Sequence, residues 1–403
     1  MAIATGVAKQ LIYKVQSALG TKATASSAQA LRRVTSGLEL NKGTFQSNEI
    51  RTDYQISDFR HGSRSVSGPI DGELSPGTYG DFFAAATRQD FAAVTPITSV
   101  GLTITGSSAP YTVARGTGDW LADDVKVGDV VQLSVGTLDA ANITKNLLVA
   151  SVIAADITVY PLNGSAMTAE GEIAGCTVTV MGKKSFVPTT AHTNNYYTIE
   201  HWHSDINQSE TFIDCKVNTA AVTISPSGMA TVNFGFLGRN QDLDTSQYFT
   251  SPTAATTTGV TAGANGLLMV DGATVGNVTG INFDVNGNMS TEEVVGANVT
   301  PDVFAGSVTI SGQLTILLED ATYSAMFADE TEASVVIALT TANTAAADFI
   351  SFTMPRIKVG GNSKDDGQKG IVQTLPFTAL FNGAGGSGIA TEQTTLSIQD
   401  STL

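Results

Sequence analysis

Short runs of alternating apolar and polar residues recur along most of the chain. In 307–318 the apolar positions of one such run are Val308, Ile310, Leu314 and Ile316. A period of two is typical of a β-strand with one buried and one wet face. Further apolar or alternating runs begin at Tyr196 and continue through 212–224 and 230–237, and others lie at 267–270, 278–285, 334–339, 350–355 and 371–379. Gly, Asn, Asp and Ser separate these runs, so the pattern predicts a mainly β protein.

An early segment repeats the same alternation. In 47–59 the residues on one side of the alternation are Ile50, Thr52, Tyr54 and Ile56, and those on the other are Arg51, Asp53, Gln55 and Ser57. We therefore predict a strand over 47–59. Residues 64–74 are its expected hairpin partner, and 60–63 form the expected turn.

The strongest helical pattern follows this hairpin. Ser75 is suited to cap a helix and Pro76 to its first position. The apolar stripe comprises Tyr79, Phe82, Phe83, Ala86 and Phe91. These features predict one flanking α-helix, and 323–327 predicts a second helical turn.

Two segments carry weaker patterns. Residues 1–45 are expected to form an N-terminal arm: 7–19 is compatible with a short amphipathic helix or a docking arm, and 21–43 with extended or weakly ordered backbone. The Thr/Ala/Ser-rich segment 239–265 is expected to be a long exposed loop. Both are candidates for contacts that order on assembly.

Residues 94–184 differ from the rest of the chain in the length and spacing of their apolar runs. Short apolar runs at 125–133, 147–153, 157–162 and 176–181 are closely spaced and separated by Gly- and Asp-containing turns. This spacing predicts a small, self-contained, barrel-like β module. It divides the remaining core into 46–93 and 185–403.

Charge and cysteine content narrow the functional classes. The 403 residues carry a net charge of −16. So acidic a chain is not expected to bind DNA, because DNA binding depends on Lys and Arg side chains.

Cys176 and Cys215 are the only cysteines, and we expect them to be buried small residues rather than a disulfide. The sequence shows no signal peptide or membrane span, so a soluble protein of a reducing cytoplasm is expected.

One local motif suggests metal chemistry. His201 and His203 flank Trp202, and two histidines one residue apart share a face of a strand. No spacing supplies a third ligand, so a solvent-facing pair is the preferred interpretation and no metal site is expected. Nucleophile elbows, calcium loops and phosphate loops are also missing from the sequence. We expect neither an enzyme nor a cofactor.

The order of several segments resembles the tail tube proteins of long-tailed, siphovirus-like bacteriophages. The first group contains an S-x-E-I-R run at Ser47–Arg51, a G-x-I-x-x-E-L run at Gly68–Leu74, and the aromatic helix from Pro76 to Phe83. The later group comprises 265–268, 278–283, 294–296, 304–312, 318–323, 350–355 and 375–380. No single segment is specific; their order carries the resemblance.

The resemblance implies a tail-tube β-sandwich or barrel with a flanking helix. Such subunits form hexameric rings that stack into the channel for genome delivery. The implied partners are further copies of the chain and the tape measure, tail terminator and baseplate or distal tail proteins. Double-stranded DNA would pass without specific binding, and no membrane would be involved. The protein would be assembled in the host cytoplasm and reside in the virion tail.

A channel lining that repels DNA would keep it mobile. The candidate lumen-facing residues are Asp53 and Gln55 on one segment and Asn282 and Asp284 on another. Two alternatives are another virion β-protein, such as a decoration or fibre component, and a glycan-binding β-sandwich adhesin. Trp120 is the only tryptophan of the inserted module, which disfavours an aromatic glycan platform.

Overall fold

A computed structural model describes residues 3–365 and 367–403 and shows a mainly β protein, with 46% strand and 4% helix. The helices are α1 (Gly80–Thr87) and α2 (Thr322–Ala328). The strands are β1 (Lys9–Val15), β2 (Gln29–Ala30), β3 (Thr35–Ser36), β4 (Glu39–Gln46), β5 (Phe59–Glu73), β6 (Ile97–Thr105), β7 (Tyr111–Arg115), β8 (Val130–Ser134), β9 (Leu147–Val152), β10 (Asp156–Pro161), β11 (Glu170–Val180), β12 (Lys183–Phe186), β13 (Tyr197–His203), β14 (Gln208–Ile224), β15 (Thr231–Gly238), β16 (Asn240–Asp244), β17 (Gly266–Val270), β18 (Ala273–Thr274), β19 (Val278–Asn286), β20 (Ser290–Thr291), β21 (Val303–Phe304), β22 (Thr309–Leu317), β23 (Glu332–Thr340), β24 (Phe349–Val359), β25 (Ser363–Asp365), β26 (Val372–Ala379) and β27 (Ser397–Asp400).

The body of the protein is a two-layer β structure around one large apolar core. One layer runs β5–β15–β14–β19–β22–β26, and all of its pairs are antiparallel. The other contains β17, β23, β24 and β27. Phe283 of the first layer meets Phe352 of the second with ring centroids 5.0 Å apart. Strand β24 also pairs with β26, which joins the two layers at one side.

The aromatic helix packs into this core. Phe82 and Phe83 are buried, and both rings contact Phe234 of β15 in edge-on geometry. The predicted helix is therefore confirmed, but its predicted start is wrong. The helix begins at Gly80 with no side-chain cap, and the Ser75 hydroxyl instead pairs with the Thr78 hydroxyl at 2.6 Å.

The predicted 47–59 strand is wrong. Residues 47–58 form a loop between β4 and β5, and these two strands make the hairpin, with Gln46 opposite Phe59. The expected turn 60–63 lies inside β5. Alternation failed here because no second layer covers the segment, so its apolar side chains have no core to enter.

Residues 97–180 form a closed six-stranded barrel in the order β10–β7–β6–β11–β8–β9. Its interior is a separate apolar cluster containing Trp120, Leu133, Val149 and Val178. The Trp120 indole N–H donates to the Ala155 carbonyl at 3.1 Å. The barrel-like fold expected for this stretch is confirmed.

The barrel is docked on the body through an apolar contact. Val130 and Leu148, on the outside of the barrel, cluster with Val336 and Phe349 of the body. The Gln399 side chain adds a two-way amide pairing with Val130: the Val130 N–H donates to Oε1 at 2.8 Å, and Nε2 donates to the Val130 carbonyl at 2.9 Å. The module is thus fixed to the body.

The first described residues join the large sheet. Strand β1 pairs with β13 along its whole length, from Lys9 opposite His203 to Val15 opposite Tyr197. The helix considered for 7–19 is therefore wrong, and 21–43 contributes β2, β3 and part of β4 rather than weakly ordered backbone. Residues 1 and 2 of the expected arm lie outside the described residues.

The segment 239–265 packs against this N-terminal region. It contains β16, and the fully buried Phe249 clusters with Ile12, Ala23 and Ala28. The Thr253 N–H donates to the Ala28 carbonyl at 2.8 Å, and the Thr250 N–H to the Ala25 carbonyl at 2.9 Å. The expectation of one long exposed loop was wrong because β16 pairs with β14, and Phe249 and these backbone hydrogen bonds hold the residues after it.

Candidate functional site

The first layer of the body presents a continuous polar surface, which we call the polar face. Its first row of directly opposed residues is Asp71, Asn233, Ala221, Asp284, Ser311 and Thr378. Its second row is Glu73, Thr231, Thr223, Asn282, Gln313 and Pro376. These twelve residues include three carboxylates and no lysine or arginine.

The period of two explains why this face is polar. The residues between the two rows point into the core, and Val222, Phe283 and Phe377 are each almost completely buried. Side chains on successive strand residues point to opposite sides, so the remaining positions must form the other surface of the layer. The register shared by six strands brings them together.

Two of the four candidate lumen residues lie on the polar face. Asn282 and Asp284 occupy adjacent rows of β19, opposite Gln313 and Ser311 of β22. Burial raises the pKa of the Asp284 carboxyl, whose Oδ1 atom has no hydrogen-bond partner within the described chain.

Asp53 and Gln55 are elsewhere. Both belong to the loop 47–58, where the Asp53 carboxylate pairs with the Arg51 guanidinium at 2.8 Å. That contact lowers the pKa of Asp53. The alternating pattern of 47–59 predicted that Asp53 and Gln55 share one face of a strand. That prediction was wrong, because both residues lie in the loop.

The barrel module lies on the side of the body away from the polar face. On β23, Val335 and Ile337 point into the body core, whereas Val336 and Ala338 point to the module. The second layer therefore stands between the polar face and the module. The position of the module at 94–184 in the sequence did not predict which side of the body it would cover. That side is set by the face of β23 on which the module packs.

The β4–β5 hairpin ends in an exposed apolar loop. Ile50, Tyr54 and Ile56 have relative exposures of 103%, 98% and 66%. Phe45 and Phe59, at the base of the loop, are also exposed. Grouped apolar side chains on a solvent-facing loop are typical of an interaction site.

Comparison with known families decides among the structural alternatives. A family model described as Phage tail tube protein matches residues 6–379. The chain belongs to the phage tail tube protein family. No curated protein matches the sequence.

Membership in this family identifies a structural component of the virion tail that assembles with other tail proteins into a tube. It therefore favours the tube over the fibre, decoration and adhesin alternatives. The matched region includes the barrel module as well as most of the body.

The His201–Trp202–His203 motif has a structural position in the tail tube protein. His201 is buried, and its Nε2 atom lies 2.7 Å from the Ser36 hydroxyl and its Nδ1 atom 3.6 Å from Glu210. The expected solvent-facing pair is therefore wrong for His201. Burial lowers its pKa to about 4, although the nearby Glu210 carboxylate acts in the opposite direction. Across residues 3–365 and 367–403, no group of three His, Cys, Asp or Glu side chains is arranged to hold a metal ion.

Both cysteines are free and buried, as expected from the sequence. Burial raises the pKa of Cys176 and of Cys215, which disfavours the reactive thiolate form of each. Neither helix in the described part of the chain is long and apolar enough to cross a membrane.

Proposed function

We propose that the tail tube protein assembles into hexameric rings that stack into a tube, with the polar face lining the channel through which the genome passes. The polar face is the observation that carries this proposal. It is broad and continuous over six strands, and its side chains are mostly hydroxyls and amides.

The charges of this face suit DNA transit. Phosphate contacts made by Lys and Arg give DNA most of its nonspecific affinity for proteins. The twelve polar-face residues contain neither, whereas Asp71, Glu73 and Asp284 supply negative charge. Over a distance comparable with the screening length of about 8 Å, these carboxylates repel the phosphates and keep DNA from adhering.

The position of the module supports the same orientation. A tube wall has one surface toward the lumen and one toward the outside, and the module covers the layer opposite the polar face. With the polar face inward, the module decorates the exterior and leaves the lumen clear. The barrel strands and their separate core support our placement of an inserted module at 94–184 in a body at 46–93 and 185–403. The proposed N-terminal arm at 1–45 adds strands to the sheet of this body.

The exposed hairpin loop is suited to contacts between subunits. A two-stranded hairpin that extends beyond its sheet gains stability when another surface covers it. We infer that Ile50, Tyr54 and Ile56 pack on neighbouring copies, joined by the exposed Val7 near the start of the chain. The tape measure, tail terminator and distal tail or baseplate proteins would meet the tube interior and its two ends during assembly in the host cytoplasm.

Electron microscopy of the concentrated protein tests the assembly, with six-fold rings or hollow tubes as the expected result. Thiol labelling tests the orientation, because Cys176 and Cys215 are buried and leave an introduced cysteine as the accessible thiol. We expect Asn282→Cys in assembled tubes to react with a small maleimide but to resist a maleimide coupled to a large protein.

Ser107→Cys provides the matched control, since Ser107 lies in the exposed β6–β7 turn of the module. This variant should react with both reagents in tubes. Equal reaction of Asn282→Cys with the bulky reagent in intact tubes would exclude the polar face as the channel lining. Persistent monomers at high concentration would exclude self-assembly of the isolated protein.

A further inference from the structure

A cavity of about 220 Å³ lies where the end of α1 meets β14 and β21. It is separate from the polar face and from the hairpin loop. Its polar lining includes Arg88 after the helix, Thr193 before β13, Lys216 on β14 and Asp302 beside β21. Two cationic side chains thus share the cavity with one carboxylate.

Arg88 is held in place by an unusual backbone conformation. It follows the last helical residue with φ 60° and ψ 33°, the left-handed region that is costly for residues other than glycine. Its carbonyl accepts the Thr193 N–H at 2.9 Å. This hydrogen bond ties the end of α1 to the segment before β13, so Arg88 and Thr193 lie together in the cavity lining.

The Arg88 guanidinium is incompletely paired. One terminal nitrogen donates to the Gly287 carbonyl at 3.0 Å. The Nε atom is buried and meets no acceptor among the described residues, and the Thr193 hydroxyl lacks a partner in the same way. Buried donors without acceptors cost free energy, so both sites favour an incoming acceptor.

Lys216 adds a second buried cation. Its side chain is 3% exposed, with Nζ 3.4 Å from Asp302 Oδ1 and 4.4 Å from the Tyr196 ring centroid. Asp302 is shared, because it also accepts the Tyr196 hydroxyl at 3.0 Å. Burial lowers the pKa of both Arg88 and Lys216, although Asp302 and Asp214 act in the opposite direction on Lys216. The Lys216 ammonium also donates to the Val303 carbonyl at 2.5 Å.

We propose that this cavity is a binding site for an oxyanion, either a carboxylate or a phosphate group. A planar guanidinium with free N–H groups matches the paired oxygens of such ligands, and an ammonium nearby adds a charge-assisted contact. The Thr193 hydroxyl supplies a neutral donor. The oxyanion comes from one of two sources: an acidic side chain of a second copy of the chain, or free phosphate. The site itself does not depend on the proposed tube function.

Thermal unfolding of the unassembled full-length protein tests the site. Inorganic phosphate, compared with chloride at equal ionic strength, should raise the Tm by an amount on the order of 2 °C as the site saturates. Arg88→Gln keeps a polar side chain but removes the guanidinium and its charge, and should abolish the rise. Lys216→Met should reduce it. Arg60→Gln is the matched control, because this exposed arginine lies at the hairpin, where it pairs with Asp58, and it should retain the full rise.

Assembled protein distinguishes the two sources. If a second copy supplies the carboxylate, zero-length carbodiimide coupling in mixed light- and heavy-isotope tubes should join Lys216 to an acidic residue of another copy. If free phosphate is the ligand, the phosphate-dependent rise should persist after assembly and that cross-link should be missing. No phosphate response in the wild-type subunit, or an undiminished response in Arg88→Gln, would overturn the proposal.

Discussion

The Oε2 atom of Glu200 accepts the backbone N–H of Phe249 at 2.9 Å, deep inside the protein. The Oε1 atom of the same carboxylate accepts the Tyr248 N–H and the Ser209 hydroxyl, each at 2.6 Å. Glu200 lies on β13, so one buried side chain ties the segment after β16 to the sheet. These contacts hold the Phe249 ring in its cluster with Ile12.

Replacing Glu200 by Gln should release this segment. The amide nitrogen cannot accept an N–H, so at least one backbone donor loses its partner, at a cost of about 1–3 kcal/mol. We expect faster hydrogen exchange and earlier protease cleavage within 245–254, together with a lower free energy of unfolding in denaturant. Glu330→Gln is the control, since Glu330 is an exposed partner of Lys358; equal effects of the two changes would contradict the assigned role.

Residues 278–286 and 47–58 show how far an alternation of apolar and polar residues predicts the fold. Both segments alternate, yet only Val278–Asn286 is a strand, because β14 and β22 pair with it on both sides and the core receives Phe283. Residues 47–58 have no such neighbours. The period of two therefore predicted the polar face at Asn282 and Asp284 but misplaced Asp53 and Gln55, since pairing partners are a tertiary property.

Other parts of the fold lay beyond the sequence pattern for related reasons. The module meets the body where Gln399 pairs with Val130 across 269 residues of chain. The oxyanion cavity depends on Arg88, Lys216 and Asp302 meeting from three distant segments. In contrast, the aromatic helix and the closed barrel were predictable because local apolar spacing specifies them.

Acidification should weaken the protein through His201. The pKa of His201 is about 4 in the folded protein, compared with an ordinary value of 6.5 that applies to the unfolded chain. Between these two pH values, His201 is protonated in the unfolded chain but neutral in the folded protein. The contribution of neutral His201 is therefore present above pH 6.5 and declines as the pH falls toward 4. Between pH 7 and 5 the loss should reach about 2 kcal/mol.

Denaturant unfolding at several pH values measures this loss. His201→Gln should flatten the decline between pH 7 and 5, even if the variant is less stable throughout, and the difference from wild type cancels contributions of other groups. His61→Gln removes an exposed histidine on the hairpin and serves as the matched control. An unchanged slope in His201→Gln would rule out His201 as the source.

The docking of the module should depend on Gln399. In Gln399→Ala the Val130 N–H and carbonyl lose their side-chain partners at a buried contact, at a cost of about 1–3 kcal/mol. We expect increased hydrogen exchange along β8 and β27 while the barrel interior stays protected. Gln393→Ala, which removes an amide with a single 3.5 Å contact, should leave exchange unaltered. Matching exchange profiles for the two variants would show that the module stays docked without the Gln399 pairing.

The polar face and the hairpin loop should respond differently to added positive charge. Asn282→Lys with Asp284→Lys places two cations per subunit on the polar face, where they would form phosphate contacts with passing DNA. Tubes should form with normal diameter, and the plating efficiency of complemented particles should fall roughly tenfold or more, since stacked subunits multiply those contacts.

Asp53→Lys with Gln55→Lys adds the same residues to the exposed loop, where we expect shorter or fewer tubes because the loop would meet neighbouring copies. Tube length by electron microscopy and infectivity measured in parallel separate the two effects. Full infectivity of the Asn282/Asp284 variant would remove the polar face from the channel, whereas normal tubes from the loop variant would remove the loop from subunit contacts.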